Sequence, residues 1–124
     1  MEGIRLNSSH FKVVNGNAYV HQKITNGKPG LLLIYANWCG HCQRFKPTFN
    51  QLCKNLGSDF PCTSIEDADL DDDNVKAALN FRGFPSIKFF DQSGKIIGDY
   101  KGDRSKEDLL NQICDLYHHC IKYH

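Results

Sequence analysis

The 124-residue chain has one tryptophan, one methionine, four prolines and no excess of charge of either sign. Fifteen lysines and arginines against fourteen aspartates and glutamates leave a formal net charge of +1. That balance gives no electrostatic case for nucleic acid or an anionic membrane surface as a partner. Long hydrophobic runs are missing as well. The longest, at residues 31–36, falls far short of the roughly 20 residues a membrane-crossing helix needs. MEGIRLNSSH lacks the basic start and apolar stretch of a signal peptide, and IKYH matches no retention or lipidation signal. The expectation is a soluble chain without an address, either cytoplasmic (or viral) or a domain excised from a secretory-pathway protein. Repeats, low-complexity linkers and composition shifts are absent too, so one domain over 1–124 is expected. Cysteine is plentiful: six is high for a cytosolic domain and ordinary for an oxidising one.

From residue 31 onward the apolar pattern is clear. Residues 31–36, LLLIYA, are flanked by turn residues and predict a strand buried on both faces. Phe45, Phe49, Leu52 and Leu56 recur at i, i+4, i+7 and i+11, one stripe of a helix. Pro47 falls inside it and is expected to kink it by removing a backbone bond. A strand over 62–65, an acidic run over 66–73, a helix over 74–80, a strand over 86–90 and a hairpin partner over 95–100 follow. Leu109, Ile113, Leu116 and Cys120 mark a last helical stripe, widened by Leu110, Cys114, Tyr117 and Ile121. The first thirty residues read less clearly. Residues 4–6 suit a short strand, and Asn15-Gly16 suits a hairpin turn within 11–20. A short helix over 18–24 competes with that hairpin. The order implies an α/β fold with a central mixed β-sheet flanked by helices on both faces.

Chemistry is expected where the buried strand meets the long helix. Cys39-Gly40-His41-Cys42 places two thiols three residues apart at a helix N-terminus. Unpaired N–H groups and the helix dipole there favour a thiolate at Cys39, the nucleophile of disulfide exchange. Cys42, nearly one turn along, is placed to attack the resulting mixed disulfide. Gly40 permits the tight turn. An imidazolium at His41 would stabilise the thiolate and make the disulfide a better oxidant. Half of a zinc site is the competing reading. No second Cys-x-x-Cys completes it, and Cys114 and Cys120, six apart on a helix, would project differently.

The segment Tyr35-Ala36-Asn37-Trp38-Cys39-Gly40-His41-Cys42 resembles the active-site segment of the thioredoxin superfamily, in its protein disulfide isomerase-like branch. Residues 83–90, GFPSIKFF, resemble that family's second signature, and Tyr100-Lys101-Gly102-Asp103-Arg104 its third. The resemblance covers residues 31–116. It implies a single thioredoxin-fold domain with a variable region at 1–30 and a His- and Cys-containing tail at 117–124. It further implies that Pro85 is a cis-proline beside the cysteines and that the backbone of Phe84 pairs with an extended substrate segment. Trp38 would form an apolar wall next to Cys39, unless it is a core tryptophan. Arg104 would approach Cys42 and lower its pKa, unless it is a solvated surface arginine.

One departure from the family pattern stands out. The buried carboxylate expected five residues before Trp38 is Leu33, and its lysine partner on the next strand, after a one-residue insertion, is Ile65. Replacing both members of a buried pair is tolerable where breaking it is not. Resolution by Cys42 would then depend more on Arg104, water or the substrate. Cys53, Cys62, Cys114 and Cys120 are expected to pack as small apolar side chains. A disulfide involving Cys53 or Cys62 is the alternative, and Cys120 is the thiol expected to be exposed and open to an intermolecular bridge. The acids from Glu66 to Asp73 lack the glycine and glutamate of a calcium loop and read as a loop capping a helix. His118, His119 and His124 form a small basic tail.

The expected function is a thiol–disulfide oxidoreductase acting on protein dithiols and disulfides, oxidase- or isomerase-like rather than strongly reducing. Cys39 and Cys42 would react; Gly40, His41 and Arg104 would tune; Trp38, Phe84 and Pro85 would bind substrate. No cofactor and no metal are implied. The partners would be protein substrates and a sulfhydryl oxidase or reductase, with no nucleic acid or membrane, and the chain would be a monomer. The alternatives are a thioredoxin-like binding module with an idle cysteine pair and a relay domain for a dedicated sulfhydryl oxidase.

Overall fold

The computed structural model describes residues 3–120. Strand β4 (Gly30–Tyr35) is buried at every position because it sits in the middle of the sheet. Its neighbours are β5 (Cys62–Glu66), parallel, and β6 (Ser86–Phe90), antiparallel. β1 (Ile4–Leu6) extends the sheet beyond β5, and β7 (Ile96–Asp99) extends it beyond β6, giving the order β1-β5-β4-β6-β7. Gly30 permits the close entry of β4: a Cβ there would lie 2.3 Å from the Pro61 carbonyl oxygen.

The alternation of β4 divides the core. Leu31, Leu33 and Tyr35 face one layer with the long helix α2 (Gly40–Leu56) and with α4 (Lys106–Tyr117). Leu32 and Ile34 face the other layer, with α3 (Asp73–Leu79) and the hairpin of β2 (Phe11–Val14) and β3 (Asn17–Val20). The hairpin wins over a helix at 18–24 because Asn15 and Gly16 both take positive φ, 52° and 79°, as a two-residue turn requires. Only Gln22–Thr25 is helical there, forming α1. The stripe Phe45, Phe49, Leu52 and Leu56 is buried as expected, and α2 runs continuously through the exposed Pro47.

Four expectations are corrected. First, Leu33 and Ile65 lie in opposite core layers and cannot replace one buried pair. Side chains alternate along a strand, and the residue in register with Leu33 on β5 is Ser64. Second, Leu116 is 58% exposed, because α4 ends one residue later and Tyr117 turns inward instead. Third, Glu66 is no solvated loop acid: it ends β5 and is buried. The rest of the acidic run behaves as expected, with Asp72 accepting from the Asn74 and Val75 amides as the cap of α3.

The fourth correction concerns the four outer cysteines, which are bonded rather than merely packed. Cys53 near the end of α2 is joined to Cys62 at the start of β5. Cys114 is joined to Cys120. The second bond forms because His118 enters the left-handed region (φ 55°), ends α4 and returns the chain toward Cys114. Cys120 is therefore not the exposed thiol expected. Ile121 and His124 lie outside the described residues. Closing a loop of this size with the Cys53–Cys62 bond should stabilise the fold by about 2–3 kcal/mol through the unfolded chain. A Cys53→Ala, Cys62→Ala variant should lose that amount in chemical denaturation.

Candidate active site

Cys39 is the N-cap of α2, and Cys42 lies in its first turn. Both are free thiols and both are buried, at 8% and 3% exposure. The segment leading to them is fastened from two sides. The Asn37 side chain donates to Glu66 (2.9 Å), and the Gln43 side chain donates to the Asn37 carbonyl (2.9 Å). Neither fastening was foreseen from sequence, since Glu66 reads there as one acid among many.

The two sulfurs are chemically unequal. As a thiol, Cys39 donates to the Phe84 carbonyl at 3.6 Å. Its pKa is lowered first by the Cys42 amide, then by the Cys42 thiol, the His41 amide and the Arg44 charge, against the opposing effect of burial. These are the orphan N–H groups of a helix start, which stabilise an anion. Cys42 moves the other way, pushed up to about 11 chiefly by burial, with the Ala36 amide and the charge of Arg104 pulling down. Cys39 therefore ionises more readily than Cys42, which stays protonated at neutral pH. With Leu33 where a carboxylate was expected, no acid faces Cys42 from that position. An opening of about 530 Å³ is bordered by Tyr35, Asn37, Cys42 and Lys46.

His41 has a close neighbour in Arg44. The Arg44 guanidinium lies 2.7 Å from His41 Nδ1, and a Cβ on Gly40 would lie 3.6 Å from Arg44 Nη1. A guanidinium has donors and no acceptor, so Nδ1 accepts in this contact. The formal charge acting on Cys39 belongs to Arg44, folded back over the first turn. Its spacing, three from His41 and four from Gly40, was the available signal, because such positions share a helix face. Arg44→Gln should slow iodoacetamide alkylation of Cys39 at pH 7 by about two- to fivefold, as expected for losing one exposed charge. Its pH midpoint should rise. An unchanged profile would mean that the charge does not reach the sulfur.

The geometry around Trp38, Phe84 and Pro85 is closer to expectation. The Phe84–Pro85 peptide bond is cis. Trp38 is 74% exposed and meets Phe84 edge-to-face at 5.6 Å, so it is a wall and not a core residue. Phe81, unforeseen, continues the aromatic row at 5.5 Å from Phe84. Arg104 is half-buried, with its amide donating to the Tyr100 hydroxyl (2.9 Å) and its charge acting on Cys42.

Comparison with known proteins agrees with this geometry. The thioredoxin family model matches residues 10–115. Protein disulfide isomerase-like 1-1 of Arabidopsis thaliana is 36% identical over 110 residues, covering 86% of this chain and 21% of that protein. Protein disulfide-isomerase of Ricinus communis is 33% identical over 111 residues, covering 87% and 22%. The chain thus spans about a fifth of the length of these two relatives. Among solved structures, the first thioredoxin domain of mouse protein disulfide-isomerase A4 superposes with a TM-score of 0.62 at 24% identity, covering 86% of this chain and 79% of that one. A sheet of this order, a helix opening on two unequal thiols, a cis-proline beside them and a family match across most of the chain lead to one assignment: the chain belongs to the thioredoxin family.

Proposed function

We propose that the chain is a thiol–disulfide oxidoreductase acting on protein dithiols and disulfides. The observation that carries this reading is the pair of unequal free thiols at the start of α2, beside the cis peptide before Pro85. In the reducing direction the Cys39 thiolate attacks a substrate disulfide. One substrate sulfur leaves as a thiolate and takes a proton, and the other stays bound to Cys39. Cys42 then loses its proton and attacks the Cys39 sulfur. The second substrate thiolate leaves, two electrons have passed to the substrate, and the enzyme holds a Cys39–Cys42 disulfide. Oxidation of a dithiol is the reverse, and isomerisation is attack and return without net transfer.

Trp38, Phe84 and Pro85 form the substrate wall in this reading, while Arg104 assists deprotonation of Cys42. His41 holds the Arg44 guanidinium over the first turn of α2. A thiolate stabilised by Arg44 and the helix amides favours the dithiol form, hence an oxidising or isomerising poise. Equilibration with glutathione should give a potential nearer the isomerase value of about −180 mV than the thioredoxin value of about −270 mV. A potential at the lower value would overturn this direction. The two outer disulfides favour a compartment that keeps thiols oxidised. Among the described residues no helix is long and apolar enough to cross a membrane. A protein oxidase or reductase would recharge the pair. The test of the activity itself is isomerisation of a scrambled disulfide protein by the isolated chain. The wild type should accelerate it, and a Cys39→Ser, Cys42→Ser double variant should not.

A further inference from the structure

A cavity of about 850 Å³ opens beside the cysteines, and its wall includes Phe84 and Pro85. The Phe84 carbonyl lies 3.6 Å from the Cys39 sulfur. A substrate held on that sulfur therefore has its chain at the cavity mouth. The charges around this cavity are one-sided, although the whole chain carries a formal +1. Arg82, Lys101 and Arg104 line it, and none has a carboxylate partner among the described residues. Its single carboxylate, Asp99, is already neutralised by Lys88, a buried ammonium that also donates to the Asn80 carbonyl (2.8 Å). Two acids outside the lining, Asp103 and Asp108, keep their charge while held by neutral donors: Asp103 accepts from the Ser105 amide, and Asp108 from the Tyr100 hydroxyl. The aromatic row of Trp38, Phe84 and Phe81 supplies an apolar border to this cationic floor.

We infer that the cavity selects substrate segments carrying acidic side chains within a few residues of the reacting cysteine. This inference rests on the oxidoreductase reading of the same site and adds a substrate class to it. Carboxylates entering the cavity meet two guanidinium groups and an ammonium on its wall, where the one lining carboxylate is already paired with Lys88. Encounter is steered by the same field, so the preference lies largely in the association rate and falls with ionic strength. Each exposed charge pair is worth a few-fold at most, so two acids should give a combined preference of about tenfold.

The test uses three peptides identical except for two flanking positions, Glu, Gln or Lys, each carrying one cysteine as a mixed disulfide with a small neutral thiol. Rates of reduction by the dithiol form of the full chain are divided by rates with 2-mercaptoethanol, which removes the effect of flanking charge on the sulfur itself. At low salt the corrected rates should run Glu, then Gln, then Lys. The Glu-to-Lys ratio should exceed about tenfold and shrink in high salt. An Arg82→Gln, Lys101→Gln variant should lose most of that ratio, and both sites are exposed, so folding is not at stake. Equal corrected rates for all three peptides would overturn the inference and leave the oxidoreductase reading intact. No reaction with any peptide would overturn both.

Discussion

Cys42→Ser should convert the chain from a catalyst into a trap. The Cys39 thiolate still attacks, but a serine hydroxyl cannot resolve the mixed disulfide, so covalent adducts with substrate proteins accumulate and separate on non-reducing gels. Cys39→Ser should behave in the opposite way. The remaining Cys42 is pushed up to about 11, mainly by burial, and burial survives the substitution. With both cysteines present roughly one Cys42 in ten thousand is a thiolate at pH 7, a fraction that rises somewhat once Cys39 no longer pushes on it. Cys39, lowered from an ordinary thiol, has at least about one in a hundred. The greater intrinsic nucleophilicity of a more basic thiolate returns about tenfold of that difference. Attack by the Cys39→Ser variant should therefore be about tenfold slower, with correspondingly fewer adducts at neutral pH. Alkylation followed by peptide mapping gives the pH profile directly. Cys39 should label in a range below the ordinary thiol value, whereas labelling of Cys42 should keep rising toward pH 11. Adducts from Cys39→Ser and none from Cys42→Ser would reverse the assigned roles.

Phe49→Ala should cost about 3–5 kcal/mol of stability, a large part of the 5–15 kcal/mol typical of a domain. Phe49 is fully buried, lies at the middle of the α2 stripe and packs beside Phe45, with ring centroids 6.1 Å apart. Truncation removes the ring from water-free surroundings and leaves a cavity between α2 and the sheet. The measurement is urea denaturation at constant m-value. Activity per folded molecule should be retained, because the cysteines sit a helical turn and more away and are held by Asn37, Gln43 and Glu66. A loss under about 1.5 kcal/mol would show that the site collapses around the missing ring.

The pattern of the chain made some features legible and concealed others. Strand β4 and helix α2 were readable because apolar side chains recur at the period of each element. The reactive pair was readable because the cysteine spacing coincides with a helix start. Leu116 was misplaced because a helical period says nothing of where a helix ends. The Cys114–Cys120 bond was missed for the same reason: on a continued helix the two sulfurs diverge, and only the left-handed His118 brings them together. Ile65 was paired with Leu33 through a one-residue alignment choice, and one residue in a strand exchanges the two faces.

What the sequence by itself determined is the chemistry on offer: two thiols at the mouth of a helix, beside a tryptophan, with the proline across from them implied only by the family resemblance. Local spacing and helix-end electrostatics are enough for that. Only the tertiary structure decided which groups act on those thiols. It turned Arg44 back over the loop, set Glu66 against Asn37, brought the Phe84 carbonyl to Cys39 and left three cations at the cavity beside it without a carboxylate partner among the described residues. Charge and hydrogen bonding act through distance in space, and separation along the chain does not set that distance.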